Sequence, residues 1–92
     1  MGEHDKAIAA LEKAVELNPK DVNARLALSG AYLKENRATD AVDVLNAALK
    51  VEPDNAYVHF QLAAAYFSCE LDEFAEVHSK RAVELDPSLP RR

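Results

Sequence analysis

Two stretches decide the fold: VNARLALSGAYLKENRATDAVDVLNAALKVEPDN, residues 22–55, and AYVHFQLAAAYFSCELDEFAEVHSKRAVELDPSL, residues 56–89. Laid one over the other, they match in register at Leu28/Leu62, Ala31/Ala65, Tyr32/Tyr66, Ala41/Ala75 and Ala48/Ala82. Each also carries a proline near its end, Pro53 and Pro87. The same phase runs back into GEHDKAIAALEKAVELNPKD, where Ala7, Leu11, Ala14 and Pro19 fall into place, so the three prolines recur every 34 residues. That opening segment matches only the second half of the unit. A unit copied in this way cannot bury its apolar face alone and stacks on its neighbours. The chain therefore divides into the second helix of a truncated unit (1–21), two complete units (22–55 and 56–89) and a short tail (90–92).

Helical periodicity gives the same architecture independently. Alanine-rich runs of period 3.6 extend over about 5–17, 22–35, 39–51, 56–69 and 73–85, which predicts five helices. A proline follows the first, third and fifth of them, and Asp21 and Asn55 stand where a side-chain oxygen caps the next helix. The alanines at 41, 48, 75 and 82 suit close helix crossings, which large side chains would forbid. Tyr32 and Tyr66 are the bulky knobs beside them. No alternation of period two suggests a strand.

These residues resemble the tetratricopeptide repeat (TPR), with its Leu and Tyr in the first helix, its alanines in the second and its closing proline. Leu28 and Tyr32, Leu62 and Tyr66, then Ala41, Ala48, Ala75 and Ala82, occupy the matching places. Arg25 and His59 replace the first signature aromatic, and Ser29 and Ala63 replace the small Gly that follows the Leu. Gly2 stands at the inter-helix glycine position, which Asn36 and Glu70 take in later copies. The resemblance implies an all-α, right-handed α-solenoid of antiparallel helix pairs.

Composition narrows the function. The net charge is −5, and the basic pairs Lys80–Arg81 and Arg91–Arg92 form no patch, so neither nucleic acid nor an anionic membrane is an expected partner. No apolar run reaches spanning length, and no signal pattern opens the chain. Cytoplasmic residence is the expectation. Cys69 is alone, a small thiol behaving as a minor hydrophobe. His4, His59 and His78 fall on different helices with no pairing at ligand spacing, so no metal site is expected. The acidic run Glu70, Asp72, Glu73 and Glu76 reads as a solvated turn that favours a helix N-terminus electrostatically. No nucleophile–base arrangement and no glycine-rich loop is present, and with two glycines in all, neither catalysis nor a cofactor is expected.

What remains is surface. By the resemblance, the first helix of each unit lines a concave face, which here implies Asn23, Leu26, Gly30 and Leu33, then Tyr57, Phe60, Ala64 and Phe67. Spacings of three and four put Leu26, Gly30 and Leu33 on one stripe, repeated by Phe60, Ala64 and Phe67. Either the stripe simply packs, or it is surplus to the Leu28/Tyr32/Leu62/Tyr66 packing face and marks an interaction site. Carboxylate-clamp members of the family grip a chaperone tail with Lys, Asn and Arg in this groove. Here Leu26, Gly30, Gln61 and Tyr57 stand there, so apolar anchors on a helix or extended segment fit better. Self-association is the competing expectation, as is a scaffolding role within a larger protein. Ile8, Leu11 and Val15 of the first helix are expected to lie uncovered and to invite pairing between copies. Glu76 and Ser79, replacing Val42 and Leu45 of the earlier copy, suit a polar terminal face, or reflect drift in one copy. Opening in mid-repeat, the chain reads as a piece of a longer array.

Overall fold

The computed structural model describes residues 3–89, with side chains from Asp5; Gly2, the side chain of His4 and the Arg91–Arg92 pair lie outside the described residues. Five α-helices follow one another: α1 (Glu3–Leu17), α2 (Val22–Lys34), α3 (Ala38–Val51), α4 (Ala56–Ser68) and α5 (Asp72–Leu85). Turns of three or four residues fold each helix back on the last, so consecutive helices pack antiparallel. The α2–α3 and α4–α5 pairs pack most extensively, and α2 also touches α4 across the stack. Among the described residues there is no strand. The molecule is a short helical solenoid measuring 36 × 26 × 20 Å.

The local chemistry of the turns explains their positions. Asp21 Oδ1 accepts from the Ala24 amide at 3.1 Å, and Asn55 Oδ1 accepts from Tyr57 and Val58 at 2.9 and 3.2 Å. Both capping residues are extended, as N-caps require. Glu52 and Asp86, each before a proline, leave the helical conformation, Asp86 into an extended one, which stops α3 and α5. The two turns inside the repeats end differently. The Arg37 amide reaches back to the Tyr32 carbonyl at 2.8 Å and the Leu71 amide to Tyr66 at 2.9 Å, closing Schellman-type loops. Such loops demand a left-handed residue, and Asn36 (φ 59°) and Glu70 (φ 62°) supply it.

Asparagine tolerates that conformation and glutamate does not, so Glu70 carries backbone strain that glycine would relieve. Glu70→Gly is therefore expected to stabilise the chain by about 0.5–1 kcal/mol, and Asn36→Gly by less. A urea midpoint that rises more for Glu70→Gly than for Asn36→Gly is the check.

The core follows the repeat register. Leu28, Tyr32, Ala41, Leu45, Ala48, Val58, Leu62 and Ala65 form one buried cluster running through the stack. Ala41, Ala48 and Ala82 are fully enclosed and Ala75 nearly so, which is why position-equivalent large side chains are absent. Ser29, wholly buried, contacts the Leu26 carbonyl at 2.8 Å and hydrogen-bonds Gln61 Oε1, tying α2 to α4.

The first helix departs from expectation. Ile8 is 4% exposed, and Leu11 and Val15 pack half-buried against the same core, because α2 covers that face. The uncovered stripe is instead Ala7, Ala10, Ala14 and Leu17. Ala7 and Ala14 are the register partners of Ala41 and Ala48, which lie enclosed beneath α2.

Candidate functional site

The candidate surface is built by α2 and α4, held side by side by the Ser29–Gln61 bond. Where α2 meets α1, a hollow of about 550 Å³ opens, lined by Ala7 and Leu11 of α1, by Leu26, Ala27, Gly30, Ala31 and Lys34 of α2, and by Gln61 of α4. Gly30 deepens it: a Cβ there would meet nothing within 4 Å. The lining is apolar except for the Lys34 ammonium and the Gln61 amide, so the hollow can accept a hydrophobic side chain with a polar rim beside it.

Of the eight residues expected to line the groove, Leu26 and Gly30 lie in this hollow. Asn23 is exposed on the first turn of α2, and Leu33 is half-buried and packs against the core. Phe60 and Ala64 are half-buried on α4. Tyr57 is 56% exposed, and Phe67, 53% exposed, belongs to a second hollow of about 170 Å³ formed with Asp72, Ala75, Glu76 and Ser79 of α5. The eight do not gather in one cavity. They spread along α2 and α4 between two hollows. Gln61 stood among the groove positions compared with the clamp, whereas the contributions of Ala7, Leu11, Ala27, Ala31 and Lys34 do not follow from the sequence reading. The usable signal was register: Ala7 and Leu11 match Ala41 and Leu45, both enclosed one repeat later.

Polar groups at the repeat joints are paired. Tyr32 donates its hydroxyl to Glu12 Oε2 of α1 at 2.5 Å, and one repeat later Asn46 Nδ2 donates to the Tyr66 hydroxyl at 3.4 Å. Burial first, and then that bond to Glu12, pushes the Tyr32 phenol up to about 12. The Arg37 guanidinium sits 4.6 Å above the Tyr32 ring and bonds Asp40 at 2.8 Å. Cys69 is half-buried at the end of α4. Asp72 and Glu73 occupy the first turn of α5, exposed, where the helix dipole favours them. Among the described residues no three His, Cys, Asp or Glu side chains converge on one point. Two histidines thought separate do meet, however: His59 and His78 stack across α4 and α5. No helix among the described residues is long and apolar enough to cross a membrane.

Stacked antiparallel helix pairs sharing one continuous core, with first helices aligned on one face, define a helical-repeat protein. This chain belongs to the tetratricopeptide repeat family, whose model matches residues 1–66. It is similar to anaphase-promoting complex subunit 7 of Dictyostelium discoideum, 31% identical over 85 residues that make up 92% of this chain and 14% of that protein. It is also similar to Superkiller complex protein 3 of Mus musculus, 36% identical over 68% of this chain and 4% of that protein. Among solved structures, MamA AMB-1 superposes with a TM-score of 0.87 at 33% identity, covering 96% of this chain and 48% of MamA. The first TPR of Spaghetti (RPAP3), solved with the HSP90 peptide SRMEEVD, superposes with a TM-score of 0.90 at 23% identity, covering 96% and 70%. That last likeness concerns the fold alone. The chain thus spans a small fraction of these curated relatives and about half of MamA. The family's fold is generally a non-catalytic platform for protein–protein interaction, and by its family this chain is a protein-interaction module.

Proposed function

We propose that the chain binds an apolar segment of a partner protein, helical or extended, along the concave face of α2 and α4, and performs no chemistry itself. In this reading residues 22–55 and 56–89 are complete repeats and 1–21 is the second helix of a preceding one. The observation that carries the proposal is the apolar hollow at Leu26 and Gly30, continued along α4 by Phe60 and the exposed Tyr57 ring. Side chains at helical spacing would seat one anchor in the hollow and others against Phe60 and Ala64. The RPAP3 domain holds a peptide ending in acidic residues. Here Leu26, Gly30, Gln61 and Tyr57 stand at the clamp positions and Lys34 is the sole cation in the hollow, which favours apolar anchors over a carboxylate tail.

Selection from a displayed peptide library on the immobilised chain tests this. The expected winners carry two or three apolar anchors at spacings of three, four or seven. Gly30→Leu fills open space, so it is expected to keep the helical spectrum and urea midpoint while weakening those peptides at least tenfold. Selection of acidic C-terminal tails, or full affinity in Gly30→Leu, would refute the proposal.

A second reading is self-association, favoured by the exposure of Phe67, Leu71, Phe74 and Val77. The bare Ala7/Ala10/Ala14 face, rather than Ile8, Leu11 and Val15, is the part of α1 open to a second copy. Strictly monomeric sedimentation at high micromolar concentration would argue against it. A scaffolding role within a longer protein accords with the small share of its curated relatives that the chain spans.

A further inference from the structure

His59 occupies the family's first signature position and is 8% exposed, yet both of its ring nitrogens are engaged. Nε2 lies 2.8 Å from the Pro53 carbonyl and Nδ1 lies 3.0 Å from Nδ1 of His78. A carbonyl only accepts, so Nε2 carries a proton. The register agrees: Arg25, one repeat earlier, donates from Nε to the Pro19 carbonyl at 3.1 Å, and arginine has no acceptor. A neutral His59 protonated at Nε2 offers a lone pair at Nδ1. The hydrogen between the two rings therefore belongs to His78 Nδ1. The lone pair left over is His78 Nε2. A first proton entering there preserves every bond. A second would have to enter between two nitrogens 3.0 Å apart that already share one.

The pair is also fixed sideways. His59 and His78 stack with centroids 5.2 Å apart, His78 and Tyr66 at 5.5 Å, and Tyr66 and Phe74 at 5.3 Å. Rings from α4 and α5 thus alternate in one column, and its end ring is held to the α3–α4 turn at Pro53. We propose that this histidine pair is an acid-sensitive fastener between that turn and the α4–α5 hairpin, closed with no proton or one and opened by the second.

The neighbouring ionic groups are committed elsewhere. Arg81 of α5 binds Asp54 of the turn at 3.0 Å and Glu84 at 3.5 Å, and Glu52 of the turn accepts from Asn55 at 2.9 Å. From α3 the Asn46 amide reaches Tyr66, and from α2 Arg25 is held on Pro19. Burial first, and then His59, keeps His78 below the ordinary imidazole range. In the unfolded chain both rings protonate near pH ~6.5. Below that pH the unfolded state binds more protons, so the pair's contribution to stability is present above ~6.5 and is lost as pH falls.

The test uses a His4→Gln background, which leaves the pair as the only imidazoles. Urea unfolding from pH ~7.5 to ~5 is expected to show the unfolding constant rising about tenfold per pH unit for each proton the fold refuses. In His59→Phe/His78→Phe that part of the slope should vanish. Long-range ¹⁵N–¹H imidazole spectra of the His4→Gln chain need no change to the pair. They are expected to show His59 as the Nε2–H tautomer and His78 as Nδ1–H at neutral pH. Two rings titrating independently near pH ~6.5 in the folded chain, or an unchanged slope in the double variant, would overturn the proposal. If the double variant fails to fold, the tautomers alone decide.

Discussion

Leu62→Ala is expected to destabilise the chain by about 2–5 kcal/mol, against a total of roughly 5–14 kcal/mol for a domain of this size. Leu62 is fully enclosed, on the one helix that touches α2, α3 and α5 together. Removing its branched end leaves a cavity that a rigid stack cannot close from one side, so the loss should lie above the cost of transfer alone. Urea unfolding followed by circular dichroism measures it. Leu17→Ala is the control: Leu17 is 73% exposed, and its replacement should shift stability by no more than ~0.5 kcal/mol. Equal losses in the two variants would mean that the core does not run through the repeats as described.

The second large effect separates sequence identity from environment. Ala14, Ala48 and Ala82 hold the same place in successive repeats, yet Ala48 and Ala82 are fully enclosed while Ala14 is exposed. Ala48→Leu and Ala82→Leu force a large side chain into a close helix crossing and should each cost about 1–3 kcal/mol or more. Ala14→Leu meets solvent and should stay within ~0.5 kcal/mol of the parent. The same unfolding curves decide it. A loss in Ala14→Leu comparable with the other two would show that the α1 face is covered after all, by a second copy or by part of the chain itself.

These predictions also mark what could be read from the residues alone. The register of Leu28/Leu62, Tyr32/Tyr66 and the paired alanines defined the helices to within a residue or two, because prolines and caps punctuate them. Asp21 and Asn55 cap as their short oxygen-bearing side chains suggested. The strain at Glu70 was hidden, since a non-glycine residue gives no local sign that its turn demands a left-handed backbone. The bare face of α1 was misjudged for a different reason. Periodicity gives the stripes of a helix but not which neighbour takes which stripe, and α2 took Ile8, Leu11 and Val15 rather than the alanines. The hollow was legible in part: position in the repeat marked Leu26 and Gly30, while the wall contributed by α1 depends on how the helices stack. The His59–His78 contact could not be read at all. It joins residues 19 apart across a turn, and the earlier repeat has Arg25 and Val44 at those positions, so no repeated pair announces it.

On the proposed reading, α2 and α4 form the binding face. Chemical-shift mapping tests it most directly, using a library-selected peptide titrated into the ¹⁵N-labelled chain. The largest changes are expected at Leu26, Gly30, Leu33, Phe60, Gln61 and Ala64, lost in Gly30→Leu. Changes confined to the outer faces of α3 and α5, with α2 and α4 unmoved, would contradict it.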